Sequence, residues 1–343
     1  MRVRITGNRY IGEDDPCFII AEAGSNHNGD FETAKKLIDV AADAKVDAVK
    51  FQIFKADSLY SKHTPGFDYL KGQNTYDLIK SLEMPRKWIE ALAKYCSKKN
   101  VIFLASPFDH EAVDILDKYC PTFKIASFEI VDLDLVEYIA RKGKPIIIST
   151  GMSSLGEIED AIAAANRVGN DDIILLHCSS VYPTPSNVVN LRAMETMRAA
   201  FKKPVGFSDH TLGIHIPLAA VAMGACVIEK HYTMSKKMIG PDHSFALEPK
   251  ELKEMVLFIR EVEMAMGSGI KERSSAESEE MYMKARRSIH AKVNIPKGTT
   301  INREMLVIKR PGYGIKPSLV DIVVGREARR DIKEDEWITW EMI

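Results

Sequence analysis

What most constrains the fold of this chain is a pattern repeated eight times: a short, almost wholly apolar run followed by a segment compatible with a helix. The runs are FIIAE (18–22), VDAVKFQ (46–52), VIFLASP (101–107), FKIAS (123–127), PIIISTG (145–151), IILLHCS (173–179), PVGFS (204–208) and CVIEKHY (226–232). None alternates polar with apolar residues as a half-exposed strand would, so protein should cover both faces of each, the condition of a parallel sheet wrapped in helices. After the first run come the turn-rich GSNHNGD and then FETAKKLIDVAADAK, with apolar residues at helical spacing. Eight such units predict an α/β fold of the (β/α)8 TIM-barrel type rather than an open doubly wound sheet. No GxGxxG fingerprint follows the first run, which weighs against a dinucleotide site.

At 343 residues the chain exceeds one barrel of about 250. The expected division is a barrel domain over 1–270, a linker over 271–285, where the charged and Ser-rich KERSSAESEE lies, and a small β-rich domain over 286–343. That last segment is too short to bury more than a modest core, so it is expected to dock on its own barrel or a partner's. The helices MPRKWIEALAKYCSKK (84–99) and PKELKEMVLFIREVEMAMG (249–267) belong to the barrel, the second closing it. An insertion, SLYSKHTPGFDYLKGQNTYDLIKSLEM (58–84), follows the second strand; it reads as a source of substrate contacts or a lid, or as a surface excursion.

The formal net charge of -1 gives no electrostatic case for nucleic acid or an anionic membrane. Five cysteines (17, 96, 120, 178 and 226) are widely spaced with no CxxC, which indicates a reducing compartment and no disulfide framework. The N-terminal MRVRITGNRYIGEDDP lacks an apolar h-region, and no run approaches the ~20 residues of a membrane span. A cytoplasmic protein is expected.

In a barrel of this class, polar residues at the C-terminal strand ends build the active site. That rule selects Glu22, Lys50, Gln52, Ser106, Lys124, Ser127, Glu129, Ser149, Ser179, Ser180, Tyr182, Ser208, His210 and His231. His210 and His231 each close an apolar run with a carboxylate nearby (Asp209, Glu229, Asp242), so they are the candidate metal pair; two imidazoles with open positions suit a labile divalent ion. Lys50 and Lys124 stand between apolar neighbours and need a counter-charge, which an anionic ligand supplies. With the hydroxyls and turn amides they suit a phosphate that also bears a carboxylate. Glu22 and Glu129 remain for proton handling or for gripping hydroxyls. The blander readings are lysines reaching past the rim and serines serving turns. A Schiff-base aldolase, using a desolvated barrel lysine, is left open by spacing alone. Gly151, Met152 and the Met-rich helix near Met264 read as packing.

These motifs resemble the sialic acid synthases, enzymes that condense phosphoenolpyruvate with an N-acetylated amino sugar to a nine-carbon 2-keto acid. The resemblance runs through IIAEAGSNHNGD, DAVKFQ, SLEM, FKIASFEI, GKPIIISTGM, LLHCSSVYPTP, GFSDHT, GACVIEKHYT, GPDHSFALEP, RSIHAKVNIPKGTTI and KRPGYGI, and so covers essentially the whole chain. It implies that the tail is an antifreeze-like (SAF-type) domain that crosses to the partner barrel in a domain-swapped homodimer. It further implies a divalent metal, Mn2+ or Mg2+, on His210 and His231, and phosphoenolpyruvate on Lys50, Ser106, Lys124, Ser127, Ser149 and Ser208. The sugar would lie on Gln52, Tyr182, Asp242 and the neighbouring chain's Arg310, with Glu22 and Glu129 as catalytic carboxylates. Ser180 stands where family members sometimes carry an asparagine. FKIASFE resembles the pseudaminic acid and spore-coat branches, VKFQIF and GPDHSFALEP the neuraminate and legionaminate branches. The resulting expectation is an N-acetylneuraminate-type synthase using N-acetylmannosamine, with the pseudaminic, legionaminic and spore-coat activities as near alternatives. A non-catalytic carbohydrate-binding protein is the alternative of another class.

Overall fold

The computed structural model describes residues 1–65 and 74–343, which form two compact units, Met1–Gly267 and Ser268–Ile343. The first begins with an antiparallel hairpin of β1 (Arg2–Thr6) and β2 (Arg9–Gly12). Eight parallel strands follow: β3 (Phe18–Gly24), β4 (Ala48–Ile53), β5 (Ile102–Pro107), β6 (Phe123–Ile125), β7 (Ile146–Ser149), β8 (Ile173–Cys178), β9 (Val205–Asp209) and β10 (Val227–His231). Their ladder order is β5-β4-β3-β10-β9-β8-β7-β6, and β5 and β6 lie side by side to complete the (β/α)8 barrel. All eight expected strands are present, each joined to the next by a connection containing helix.

Side-chain parity explains why these runs look apolar throughout. Successive residues face opposite sides of a strand. Ile19, Ala21, Val49, Phe51, Phe103, Ile146, Ile148 and Ile228 face outward and pack with helix residues such as Leu37, Ile38, Val136 and Ile259 in one large core. The inward residues nearest the strand starts, among them Phe18, Ile20, Ala48, Leu104, Ile147, Ile174, Leu176 and Val227, form a second core that also contains Val3, Ile5 and Ile11 of the hairpin. The hairpin thus plugs the floor of the barrel. Further along each strand the inward positions turn polar, and there the mouth begins.

The helices obey local rules. Asp30, Asp109 and Asp132 cap Phe31–Asp43, His110–Leu116 and Leu133–Ala140 by accepting a backbone N–H, and Ser154 with Glu157 forms a capping box on Leu155–Arg167. Ile89–Lys98 and Pro249–Met266 match the two helices expected from sequence. Of the insertion after β4, Ala56–Leu59 and Thr75–Ser81 are short helices; the expectation of a lid falls partly on residues 66–73, outside the described residues. Two packing expectations are corrected: Met152 and Met264 are 79% and 76% exposed, because each faces away from the cores. All five cysteines are free and buried. Among the described residues, no helix is long and apolar enough to cross a membrane.

In the second unit, a short helix (Glu279–Ala285) precedes an antiparallel pair of β11 (Ser288–Ala291) and β12 (Leu306–Lys309). Isolated bridges such as Ile295 to Ile332 extend the pairing, and Ile289, Ile295, Ile301, Val323, Ile332 and Ile338 make a small core of its own.

Candidate active site

The mouth is built from the last inward positions of the strands. Parallel register sets Glu22 beside Lys50, Gln52 beside Ser106, and Glu229 beside Ser208. Lys124, Ser149 and Cys178 occupy the same parity on β6, β7 and β8. His231 ends β10 and His210 follows β9, so the two imidazoles stand above Glu229 and Ser208 on neighbouring strands.

At the centre lies a buried charge cluster. Lys50 Nζ is 3.0 Å from Glu22 Oε1 and 3.5 Å from Glu229 Oε1, and it donates to Ser106 Oγ at 3.2 Å. Lys124 Nζ is 3.7 Å from the same Glu229 oxygen and donates to the Ile125 carbonyl at 3.1 Å. Ser208 Oγ donates to Glu229 Oε1 at 3.3 Å and Gln52 Nε2 to Glu22 Oε1 at 2.8 Å. All four ionisable groups are buried, yet the second oxygens of Glu22 and Glu229 have no hydrogen-bond partner. Burial and proximity therefore pull the groups apart. Burial opposes charge on Lys50, but Glu22 and Glu229 outweigh it and hold the ammonium above its usual range. On Lys124 burial prevails and its pKa falls. Burial raises Glu22, whereas for Glu229 the lysines overcome burial and lower it.

A hydroxyl rim adjoins this cluster. Ser127 Oγ accepts from Gly151 N at 3.0 Å, and Ser149 Oγ is buried without a partner. Gly151 is required here by close approach: a Cβ would lie 2.3 Å from Ser180 Oγ and 2.8 Å from Ser127 Oγ. Its earlier reading as packing is corrected, since it brings a backbone amide and two serines together. Glu129, in the loop after β6, is buried with one oxygen unpartnered, and burial pushes it up to about 7.

The imidazoles of His210 and His231 stand 5.3 Å apart between centroids. His210 Nδ1 is 3.1 Å from the Ser179 carbonyl, which assigns the proton to Nδ1 and leaves Nε2 its lone pair. His231 Nδ1 is buried with no hydrogen bond, 3.7 Å from Asp242 Oδ2. Burial pushes both rings down, His210 to about 4, so both are neutral at pH 7. Burial and Glu22 push Asp242 up to about 7. Glu22, His231 and Asp242 converge on Gly24, whose φ of +51° suits glycine: a Cβ there would lie within 3.6 Å of all three. Two neutral imidazoles, an orphaned ring nitrogen and an adjacent carboxylate fit a divalent ion as an open pair; among the described residues no group of three or more His, Cys, Asp or Glu forms a closed cage.

Most of the residues selected from sequence meet at this mouth. Ser179 instead turns its hydroxyl to the Val188 carbonyl at 3.2 Å and offers only its own carbonyl to His210. Tyr182, nearly half exposed, tilts over His210 with ring centroids 4.3 Å apart. Arg310 lies in the second unit, exposed, just after β12. The counter-charge expected for Lys50 and Lys124 is supplied in part by the protein itself, since Glu22 and Glu229 face them. The sequence reading places Glu229 only as a carboxylate near the candidate metal pair. The available signal was its spacing, two residues before His231 and hence on the same inward face.

Residues 37–271 match the NeuB family and residues 286–343 the SAF domain. N,N'-diacetyllegionaminic acid synthase from Campylobacter jejuni is 46% identical over 93% of this chain and 98% of its own length. The synthase of the same name from Legionella pneumophila is 41% identical, covering 99% and 98%. Among solved structures, N-acetylneuraminic acid (sialic acid) synthetase from Leptospira borgpetersenii superposes with a TM-score of 0.74 at 38% identity, over 82% of this chain and 95% of that one. These likenesses set aside the Schiff-base aldolase and the non-catalytic carbohydrate-binding alternatives. With its barrel, SAF domain and lysine-lined mouth, the chain belongs to the NeuB family, the phosphoenolpyruvate-dependent, carbon–carbon bond-forming synthases of the sialic acid type.

Proposed function

We propose that the mouth condenses phosphoenolpyruvate with an open-chain N-acetylated amino sugar to a nine-carbon 2-keto acid and phosphate. The observation that carries this reading is the buried Lys50–Glu22–Glu229–Lys124 cluster, whose unpartnered oxygens lie in the same inward layer as hydroxyls and below two neutral imidazoles. Lys50, Lys124, Ser106, Ser127, Ser149 and Ser208 hold the phosphate and carboxylate of phosphoenolpyruvate. Gln52, Tyr182 and Asp242 hold sugar hydroxyls, joined by the partner's Arg310, and Glu22 helps orient the acceptor. A divalent ion, Mn2+ or Mg2+, held by His210 and His231 would supply Lewis-acid activation of the acceptor's carbonyl oxygen. C3 of phosphoenolpyruvate forms the new bond to the aldehyde carbon, water adds at C2, and the C2–O bond breaks to release phosphate. Glu129, whose pKa of about 7 lets it hold or release a proton near neutrality, handles the proton of that water.

The sequence expectation favoured N-acetylmannosamine as acceptor. The legionaminic names of the relatives at 46% and 41% identity shift our proposal toward a 2,4-diacetamido-trideoxy hexose, with N-acetylmannosamine supported by the likeness at 38%. We also infer a homodimer. Phe128, Met152, Val181, Leu212 and Ile239, all from loops at the mouth, are between 50% and 93% exposed and suit cover by a second copy. A reducing, cytoplasmic setting accords with the five free, buried thiols. Phosphate release from phosphoenolpyruvate with Mn2+ tests the reading, comparing the two sugars with and without chelator. Release with one sugar, lost on chelation, is expected and identifies the acceptor. A folded, metal-loaded protein that releases none with either sugar contradicts it.

A further inference from the structure

Behind the two imidazoles lies a second pair of charges that faces the other way. Lys230 and Asp209 are register partners on β10 and β9, and each directly precedes one of the histidines. Parity sends them outward, into the layer between barrel and helices, where both side chains are 0% exposed. Lys230 Nζ bonds Asp209 Oδ2 at 2.5 Å and also donates to the Thr211 carbonyl. Asp209 accepts from Thr211 N at 2.9 Å and from Thr211 Oγ1 at 3.1 Å. One ammonium thus ties down the residue before His210 and the residue after it, while its own backbone carries His231. In contrast to the mouth, no donor or acceptor of this group is left unpartnered.

A buried ion pair of this kind is weak as a source of stability, because an apolar pair of similar volume does as well or better. Its geometry does something an apolar pair would not: it fixes the chain on both sides of His210 relative to β10. We propose that Lys230, Asp209 and Thr211 form a positioning clamp that holds the two imidazoles at the separation a divalent ion requires. This rests on the reading that His210 and His231 bind such an ion.

The test is Mn2+ affinity of the intact chain, measured by electron paramagnetic resonance of free Mn2+, alongside melting of the metal-free protein. The double variant Asp209→Leu/Lys230→Met replaces the clamp with an apolar pair. It is expected to melt no lower than wild type yet to bind Mn2+ about 10- to 100-fold more weakly, the range for supports one step behind metal ligands. A folded double variant that binds Mn2+ as tightly as wild type overturns the clamp. Wild-type protein that binds no Mn2+ overturns the metal reading and the clamp with it. Should the double variant fail to fold, Thr211→Val, which removes one bond to Asp209 and leaves the ion pair, carries the test. The clamp then predicts a measurable loss of Mn2+ affinity, smaller than that expected of the double variant, and unchanged affinity overturns it.

Discussion

Two clusters, each of two cations and two carboxylates, occupy opposite ends of the same barrel. At the floor, Arg9 and Arg260 share Asp47 at 2.7 and 3.3 Å, and Arg260 also meets Glu263 at 2.9 Å. Every partner there is engaged: the guanidiniums donate to the Tyr10, Pro16 and Cys17 carbonyls, and the carboxylates accept from the Ile19 and Cys17 amides. The mouth cluster is more deeply buried and less satisfied, with orphaned oxygens on Glu22 and Glu229. The floor stitches the first strand to the closing helix, whereas the mouth holds charge and polar capacity in reserve for a ligand. Equal charge counts therefore say little; what is left unpaired, and where, separates structure from chemistry.

The largest expected effect comes from the mouth. His231→Ala should abolish turnover, and Lys124→Met should lower it by about a thousandfold, the scale of removing a preorganised electrostatic contact, while thermal melting of the metal-free protein stays at or above wild type. Steady-state phosphate release and calorimetry check both; a fall in stability that matches the loss of activity would make the mouth as structural as the floor.

Asp47→Ala reverses the pattern. It strips two guanidiniums and one amide of their acceptor and should cost about 2 kcal/mol in urea unfolding, with kcat of the folded fraction unchanged. A change in kcat would couple the floor to the chemistry.

A smaller effect follows from Glu129. Burial raises its folded pKa to about 7 from an unfolded value of about 4.5. Between those values the folded state keeps a proton that the unfolded state has lost, so this group's contribution to stability falls as pH rises through the window. Glu129→Gln removes that slope. The difference in melting temperature, variant minus wild type, should grow between pH 5 and pH 8, and a flat difference contradicts the assignment.

The mouth was more legible in sequence than the floor because barrel geometry attaches function to strand ends, a position that can be read directly from apolar runs. Lys50, Lys124, His210 and His231 fall there with no further information. Glu229 was underweighted because, from sequence, it is only a carboxylate near the histidine pair; closure of the sheet shows it reaching across to Lys50 on β4. Gly151 was misread because its requirement comes from Ser127 and Ser180, two neighbours distant in sequence. The floor hairpin left a fainter signal: Val3 and Ile5 alternate with polar residues before the Gly7–Asn8 turn, but nothing local says they enter a barrel. Two of the partners of Arg260, Cys17 and Asp47, lie more than 200 residues away, beyond the reach of spacing arguments.

The central claim, that the mouth cluster is held for an anionic substrate and the floor cluster is not, is tested most directly by calorimetric titration of phosphoenolpyruvate into metal-loaded wild type, Lys124→Met and Asp47→Ala. One site per chain is expected in wild type, weakened by about tenfold or more in Lys124→Met, the loss of a charge-assisted contact, and unchanged in Asp47→Ala. Binding to Lys124→Met at wild-type strength, or an equal loss in both variants, would contradict it.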